Sequence, residues 1–224
     1  MDILANSKLR MNIRMNSGGS QVSSKASPTL YFGYGSNLWL QQMRLRCPTS
    51  QYIGIARLKG YKWIIYDRGY ANIVKLDNEK QSTDDQDNHD YSQEVWGLVY
   101  TLQAADEKGL DGNEGVPNSY QKAYIECELW TIPDSASHPD ISKPPIKRDL
   151  LVYINHYLTH ESAPKEEYIY RMNQGIHDAL KEGMPAAYVQ QVMRKFIPAK
   201  DETDFQPGVV QKAHKQGLEF RDEK

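Results

Sequence analysis

Apolar and polar positions alternate most cleanly over residues 120–130, where Ile125, Cys127 and Leu129 share one side and Tyr124, Glu126 and Glu128 the other. A period of two marks a half-buried strand. Shorter apolar runs bounded by glycine or proline predict further strands. They start at Thr29 (TLYF), cover 51–58, 61–66 and 71–76 with Gly60 and Gly69 as punctuation, resume at Glu94 (EVWGLVYTL), and end with 150–153. The period changes in the last third. Tyr168, Met172 and Ile176 fall at i, i+4 and i+8, one face of a helix. Pro164 suits its first turn, Glu166 and Glu167 its positive end, and Gly183 with Pro185 its stop. A second helix is predicted over 186–197, ended by Pro198, and a short one in LWLQQMRLRC, ended by Pro48. Strands first and helices last predict an α+β fold rather than a regular βαβ alternation.

Three polar stretches lie outside this pattern. Residues 1–28 carry no sustained period, are rich in Ser, Asn and Gly, and read as a disordered N-terminal tail. They hold no apolar stretch of about 7–15 residues, as a secretory signal requires, while Lys8, Arg10, Arg14 and Lys25 leave a mitochondrial-targeting reading open. Residues 77–93 read as a polar surface insert and 200–224 as a charged C-terminal tail, so the folded unit is one domain over 29–199.

Composition narrows the function. With 27 Lys+Arg against 29 Asp+Glu, the chain has no excess positive charge for neutralising phosphates over its surface, and no nucleic-acid partner is expected. No apolar run reaches about 18 residues, so no membrane span is expected. Two cysteines, Cys47 and Cys127, cannot build a disulfide framework, which suits a reducing, cytoplasmic setting. The aromatic balance is uneven, 15 Tyr against 4 Phe and 4 Trp, and tyrosine lines polar pockets as readily as cores.

Two motifs could carry chemistry. Gly33-Tyr34-Gly35-Ser36-Asn37-Leu38 sits between a strand and a helix, where free backbone N–H groups and short polar side chains can grip an anion. Leu38 holds the place of the third glycine of a dinucleotide fingerprint, so a small carboxylate or phosphate is a better guest than NAD. A plain tight turn fits the same residues. Asp111-Gly112-Asn113-Glu114-Gly115-Val116-Pro117 places acids in a glycine-rich loop read as lying between strands. Glu114 there is either a general acid/base whose pKa burial would raise, or part of a solvated turn. His156 and His160 lack the setting of a zinc helix, and Asp85-x-Asp87-x-His89 lacks the glycine and glutamate of a calcium loop, so no metal is expected.

YFGYGSNL at 31–38, ARL at 56–58, EVWGLVY at 94–100, LDGNEGV at 110–116, ESAP at 161–164 and GMPAAYVQQV at 183–192 together resemble the γ-glutamylcyclotransferase family, over residues 29–198. The resemblance implies a compact mixed β-barrel with flanking helices, a homodimer, and no cofactor. It implies cyclisation of a small γ-glutamyl amino acid or amide, with release of 5-oxoproline and the free amine. The family's catalytic glutamate falls on Glu114. Its substrate loop falls on Tyr34, Gly35, Ser36, Asn37 and Leu38, and its pocket tyrosines on Tyr120, Tyr153 and Tyr168. The 77–93 insert and the long N-terminal stretch depart from the family pattern and bear on the leaving group. A larger glutathione-derived conjugate or biosynthetic intermediate is the alternative substrate, and a non-catalytic binding module the alternative class.

Overall fold

The computed structural model describes residues 27–77 and 89–219. Strand β1 (Thr29–Gly33) runs into a 3₁₀ turn (Ser36–Leu38) and helix α1 (Leu40–Arg46). Strands β2 (Gln51–Lys59), β3 (Tyr61–Ile65), β4 (Ala71–Lys75) and β5 (Glu94–Leu102) follow, then helix α2 (Ala104–Asn113). Strands β6 (Gln121–Thr131) and β7 (Ile146–Ile154) lead to helices α3 (Glu166–Lys181), α4 (Ala186–Gln191) and α5 (Pro207–Leu218).

Five strands close into a barrel in the order β1-β5-β2-β6-β7. Four of its contacts are antiparallel, and the closing one, β1 to β7, is parallel with Tyr31 opposite Leu151. The barrel is therefore mixed, and the helices flank it, as the resemblance implied. Closure removes the unpaired edges that an open sheet would expose. Strands β3 and β4 pair separately as a hairpin. The main core is continuous, with Phe32, Ile55, Leu98, Val99 and Leu150 fully buried, and α3 adds the predicted face of Tyr168, Met172 and Ile176.

The structure corrects four details of the sequence reading. Residues 104–113 form helix α2, which takes in Asp111, Gly112 and Asn113 of the expected loop and is a helix the sequence pattern did not predict. Gly109 and Gly112 each weaken a helix by about 1 kcal/mol relative to alanine, and its buried positions are Asp106 and Leu110, so the apolar period is almost silent. The Asp106 carboxylate is satisfied by the N–H and hydroxyl of Thr49, at 3.0 and 2.6 Å. The helix expected over 186–197 divides into α4 and a 3₁₀ turn, Met193–Lys195. Strand β7 starts at Ile146 rather than 150, because residues 146–149 are exposed yet still paired with β6.

The fourth correction concerns the stretch beyond residue 199, expected to be a tail. It folds back over α1 and α3 as a 3₁₀ turn capped by Asp201 and Asp204, followed by α5 with Pro207 at its start. Phe205 and Ala213 pack with Trp39 and Tyr170 in a second apolar cluster. Few apolar residues are needed because the aromatic partners come from elsewhere in the chain. Residues 1–26, 78–88 and 220–224 lie outside the described residues, and with them most of the predicted N-terminal tail and insert.

The docking of this segment has a measurable cost. Phe205→Ala should lower the free energy of unfolding by about 3 kcal/mol, as for a buried aromatic. A residue in an undocked tail would change it by about 0.5 kcal/mol or less, and denaturant titration separates the two.

Candidate functional site

The turn after β1, the end of α2 and the start of α3 come together beside β1, β4 and β7. Between them is a small cleft of about 50 Å³. That volume holds a few water molecules or one small polar head group. Tyr34, Gly35, Ser36, Asn37, Glu114, Tyr120, Tyr153 and Tyr168 all line it. Leu38 does not: its side chain is fully buried in the core, and its N–H is bonded to the Gly35 carbonyl at 2.9 Å. Five lining residues were not anticipated, Tyr31, Arg46, Tyr70, Ala71 and Arg171.

Each side chain is aimed by a local constraint. A Cβ on Gly35 would sit 2.8 Å from the Tyr168 hydroxyl oxygen, so only glycine lets that hydroxyl reach the loop. The Tyr168 oxygen then accepts the N–H groups of Ser36 and Ala71, both at 3.2 Å. Two of the loop's N–H groups, those of Ser36 and Leu38, are thus already engaged. Glu114 follows the last turn of α2, its N–H bonded to the Leu110 carbonyl at 2.8 Å. Gly115 at φ +64° reverses the chain there, a conformation that disfavours a side chain. Tyr153 donates to Asp111 Oδ1 at 2.6 Å, tying β7 to α2, and Lys122 bridges Asp111 and Glu107. Tyr34 donates to the Tyr153 carbonyl at 2.5 Å and Tyr120 to the Ala71 carbonyl at 2.7 Å.

Asn37 is the hub. Its Oδ1 accepts from Gln42 Nε2 at 2.8 Å and Arg46 NH1 at 3.1 Å. Arginine can only donate, which fixes the amide orientation. Asn37 Nδ2 therefore faces the other way, donating to the Tyr31 hydroxyl at 2.8 Å and to Glu114 Oε1 at 3.1 Å. Arg46 NH1 also stands 4.0 Å from Glu114 Oε1. On the opposite wall Arg171 donates to Ser36 Oγ at 3.1 Å and pairs with Glu167 at 3.2 Å, one helical turn earlier.

Burial raises the Glu114 carboxyl above its ordinary value, against the opposing pull of Arg46, the Asn37 hydrogen bond and Arg171. Its side chain keeps 17% exposure, through the cleft. Burial lowers the Arg46 guanidinium to about 10, which leaves it charged near neutrality. The Tyr168 hydroxyl is pushed up to about 12, again by burial, and stays protonated. Burial also pushes the Cys47 and Cys127 thiols up to about 12, unsuited to nucleophilic attack near neutrality. The sequence reading had assigned anion binding to N–H groups and hydroxyls without a basic patch. The structure adds two guanidiniums. Neither was singled out in the sequence, although Arg171 falls three residues after Tyr168, on the buried face of α3, where a cation is a signal in itself.

His156 and His160 are exposed. Among the described residues, no group of three His, Cys, Asp or Glu side chains is placed to hold a metal ion. No helix among them is long and apolar enough to cross a membrane.

No protein-family model matches the chain. Among curated proteins, it is 31% identical over 117 residues to human γ-glutamylcyclotransferase, covering 52% of this chain and 60% of the human one. The mouse γ-glutamylcyclotransferase is 32% identical over 107 residues, covering 45% of this chain and 50% of the mouse one. The matched region thus spans only half or somewhat more of these relatives. Among solved structures, a γ-glutamyl cyclotransferase superposes with a TM-score of 0.54 at 21% identity, covering 84% of this chain and 98% of the other. That likeness shows a shared fold.

The raised Glu114 carboxyl has a thermodynamic signature. The folded chain holds this proton more tightly than the unfolded chain. The matching stability is fully present below the unfolded value, near 4.5, and is lost as pH rises through the folded value. The unfolding free energy of wild type minus that of Glu114→Gln, whose amide does not titrate, should therefore fall as pH is raised from about 4.5 toward neutrality. A difference that stays flat across this range would show an unshifted carboxyl.

Proposed function

We propose that this chain belongs with the γ-glutamylcyclotransferases it resembles, and that it cyclises a γ-glutamyl amino acid or amide and releases 5-oxoproline and the free amine. The observation that carries the reading is a single carboxylate, Glu114, held in a small cleft with its proton affinity raised and one oxygen fixed by Asn37 at 3.1 Å.

The chemistry needs little more. The substrate's α-amine attacks its own γ-carbonyl, so nucleophile and electrophile share one molecule. Well-oriented reactions of this kind reach effective molarities of roughly 10⁵–10⁸ M. An ammonium group cannot attack, and an amide nitrogen leaves only after gaining a proton. The α-ammonium first releases one proton to solvent, and Glu114 takes a second from the same nitrogen as it attacks. The amine forms the new C–N bond to the γ-carbon, and the carbonyl electrons move onto oxygen. As the carbonyl re-forms, the old C–N bond breaks and its nitrogen takes the proton from Glu114. One carboxyl with a pKa raised toward the working pH serves both transfers.

The cleft supplies the remaining contacts. Arg171, whose guanidinium lines the cleft, is the cation placed to meet the substrate's α-carboxylate. Tyr168 accepts two backbone N–H bonds, which leaves its own hydroxyl hydrogen to present to substrate. The small volume suits the γ-glutamyl head and leaves the leaving group toward the opening.

Turnover of γ-glutamyl-alanine, γ-glutamyl-lysine and glutathione, read as 5-oxoproline release, tests the reading and sorts the leaving group. Glu114→Gln should stay folded and lose about 10²–10⁴-fold in kcat, the range for a lost general acid/base. Near-normal kcat in that variant would remove Glu114 from the chemistry.

A further inference from the structure

Buried cations need acceptors, and Arg46 finds two of its own outside the cleft. Its side chain is only 3% exposed. Arg46 Nε donates to the Gly217 carbonyl at 2.8 Å, and NH2 to the Gln216 carbonyl at 2.7 Å. Both carbonyls belong to the last turn of α5. Carbonyls in a last turn lack partners within their own helix and carry the negative end of its dipole, so a guanidinium satisfies them on both counts. The third contact, NH1 to Asn37 Oδ1 at 3.1 Å, orients the amide that faces Glu114.

The gap to Glu114 is the informative distance. An arginine free to pair with a carboxylate closes to about 2.7–2.9 Å, commonly with two parallel hydrogen bonds. Arg46 stops at 4.0 Å. Of the five N–H hydrogens a guanidinium offers, three point at Gly217, Gln216 and Asn37. The two that remain, one on each NH₂ group, make no hydrogen bond to Glu114, whose Oε1 stands 4.0 Å from NH1.

We propose that helix α5 restrains the proton-transfer site: through the Gln216 and Gly217 carbonyls it holds Arg46 turned to Asn37 and off Glu114. Arg46 and the α5 carbonyls are positioning groups in this scheme. The assignment rests on the reading of Glu114 as the proton carrier. A carboxylate locked in a full ion pair is a weak base, so the restraint preserves the basicity that proton transfer needs. The segment beyond residue 199, outside the barrel, thereby becomes part of the site.

Other charged and titratable groups around Glu114 do not duplicate this. Arg171 on α3 also favours its ionised form but is itself paired with Glu167. The neighbouring hydroxyls of Tyr31, Tyr34 and Tyr66 titrate above their ordinary values through burial. So do those of Tyr120, Tyr153 and Tyr168, and the Cys47 thiol. All remain neutral where Glu114 titrates.

The test follows the Glu114 titration in the full chain by carbon NMR of carboxyl-labelled glutamate, the signal assigned by its loss in Glu114→Gln. Ala213→Asp places a charge in the apolar contact that docks α5. Once α5 loosens, Arg46 closes on Glu114, and the Glu114 midpoint moves to lower pH, with the acid limb of kcat/KM following it. In an Arg46→Met background the same substitution leaves the midpoint where it was, since the two changes act through one contact. A midpoint that stays put or rises, or that shifts equally in both backgrounds, overturns the proposal. Circular dichroism checks the fold, and if Ala213→Asp does not fold, Phe205→Ala carries the same comparison. The NMR titration needs no turnover. A wild type that releases no 5-oxoproline would therefore overturn the cyclotransferase reading, while the restraint stands or falls on its own titration.

Discussion

Asn37 can turn its NH₂ group to Glu114 because its carbonyl oxygen is claimed from the opposite side. Gln42 and Arg46 both donate to Oδ1. A rotated amide would set N–H against N–H at two contacts, in a buried place where an unmet donor costs about 1–3 kcal/mol. The amide is thus locked, and with it one oxygen of Glu114 and the hydroxyl of Tyr31. Elements far apart in the chain depend on this lock. Helix α1 supplies Gln42 and Arg46, β1 supplies Tyr31, and the chain leaving α2 supplies Glu114.

The electrostatics of the cleft follow from the same arrangement. Burial alone would push Glu114 far toward its neutral form, and a direct ion pair would pull it toward permanent ionisation. The site sits between these limits. Arg46 stands near but not in contact, Asn37 contributes a single neutral donor, and Arg171 has its charge balanced by Glu167. Two arginines and two glutamates sum to zero when all are charged, which is why the chain's overall balance of 27 basic and 29 acidic residues gave no sign of them.

Much of this was legible before folding, for reasons that are local. The strands of the barrel follow from period-two alternation and glycine punctuation, and α3 from the i, i+4, i+8 spacing of Tyr168, Met172 and Ile176. These signals arise within a few residues of chain and survive any tertiary arrangement. The motif residues Gly35, Ser36 and Asn37 were recognisable because a strand–turn–helix junction with small polar residues has a restricted set of uses. Helix α2 and helix α5 were not legible. The first buries an aspartate where a period would show a leucine, and the second borrows its apolar partners from elsewhere, Trp39 from the residue before α1 and Tyr170 from α3.

The chain by itself determined the strand and helix periods, the glycines at the loop and at Gly115, and the presence of one acid in a motif suited to proton transfer. Those are properties of neighbours in sequence. Only the tertiary structure decided that Tyr31 and Tyr70 also face the cleft, that Leu38 belongs to the core, and that Arg46 and Arg171 line the site. It also decided that a polar C-terminal stretch ends against the guanidinium beside Glu114. The physical reason is that charge and hydrogen-bond partners are chosen through space. Arg46 and Gly217 are 171 positions apart yet share a 2.8 Å hydrogen bond, and no periodicity carries information over that distance.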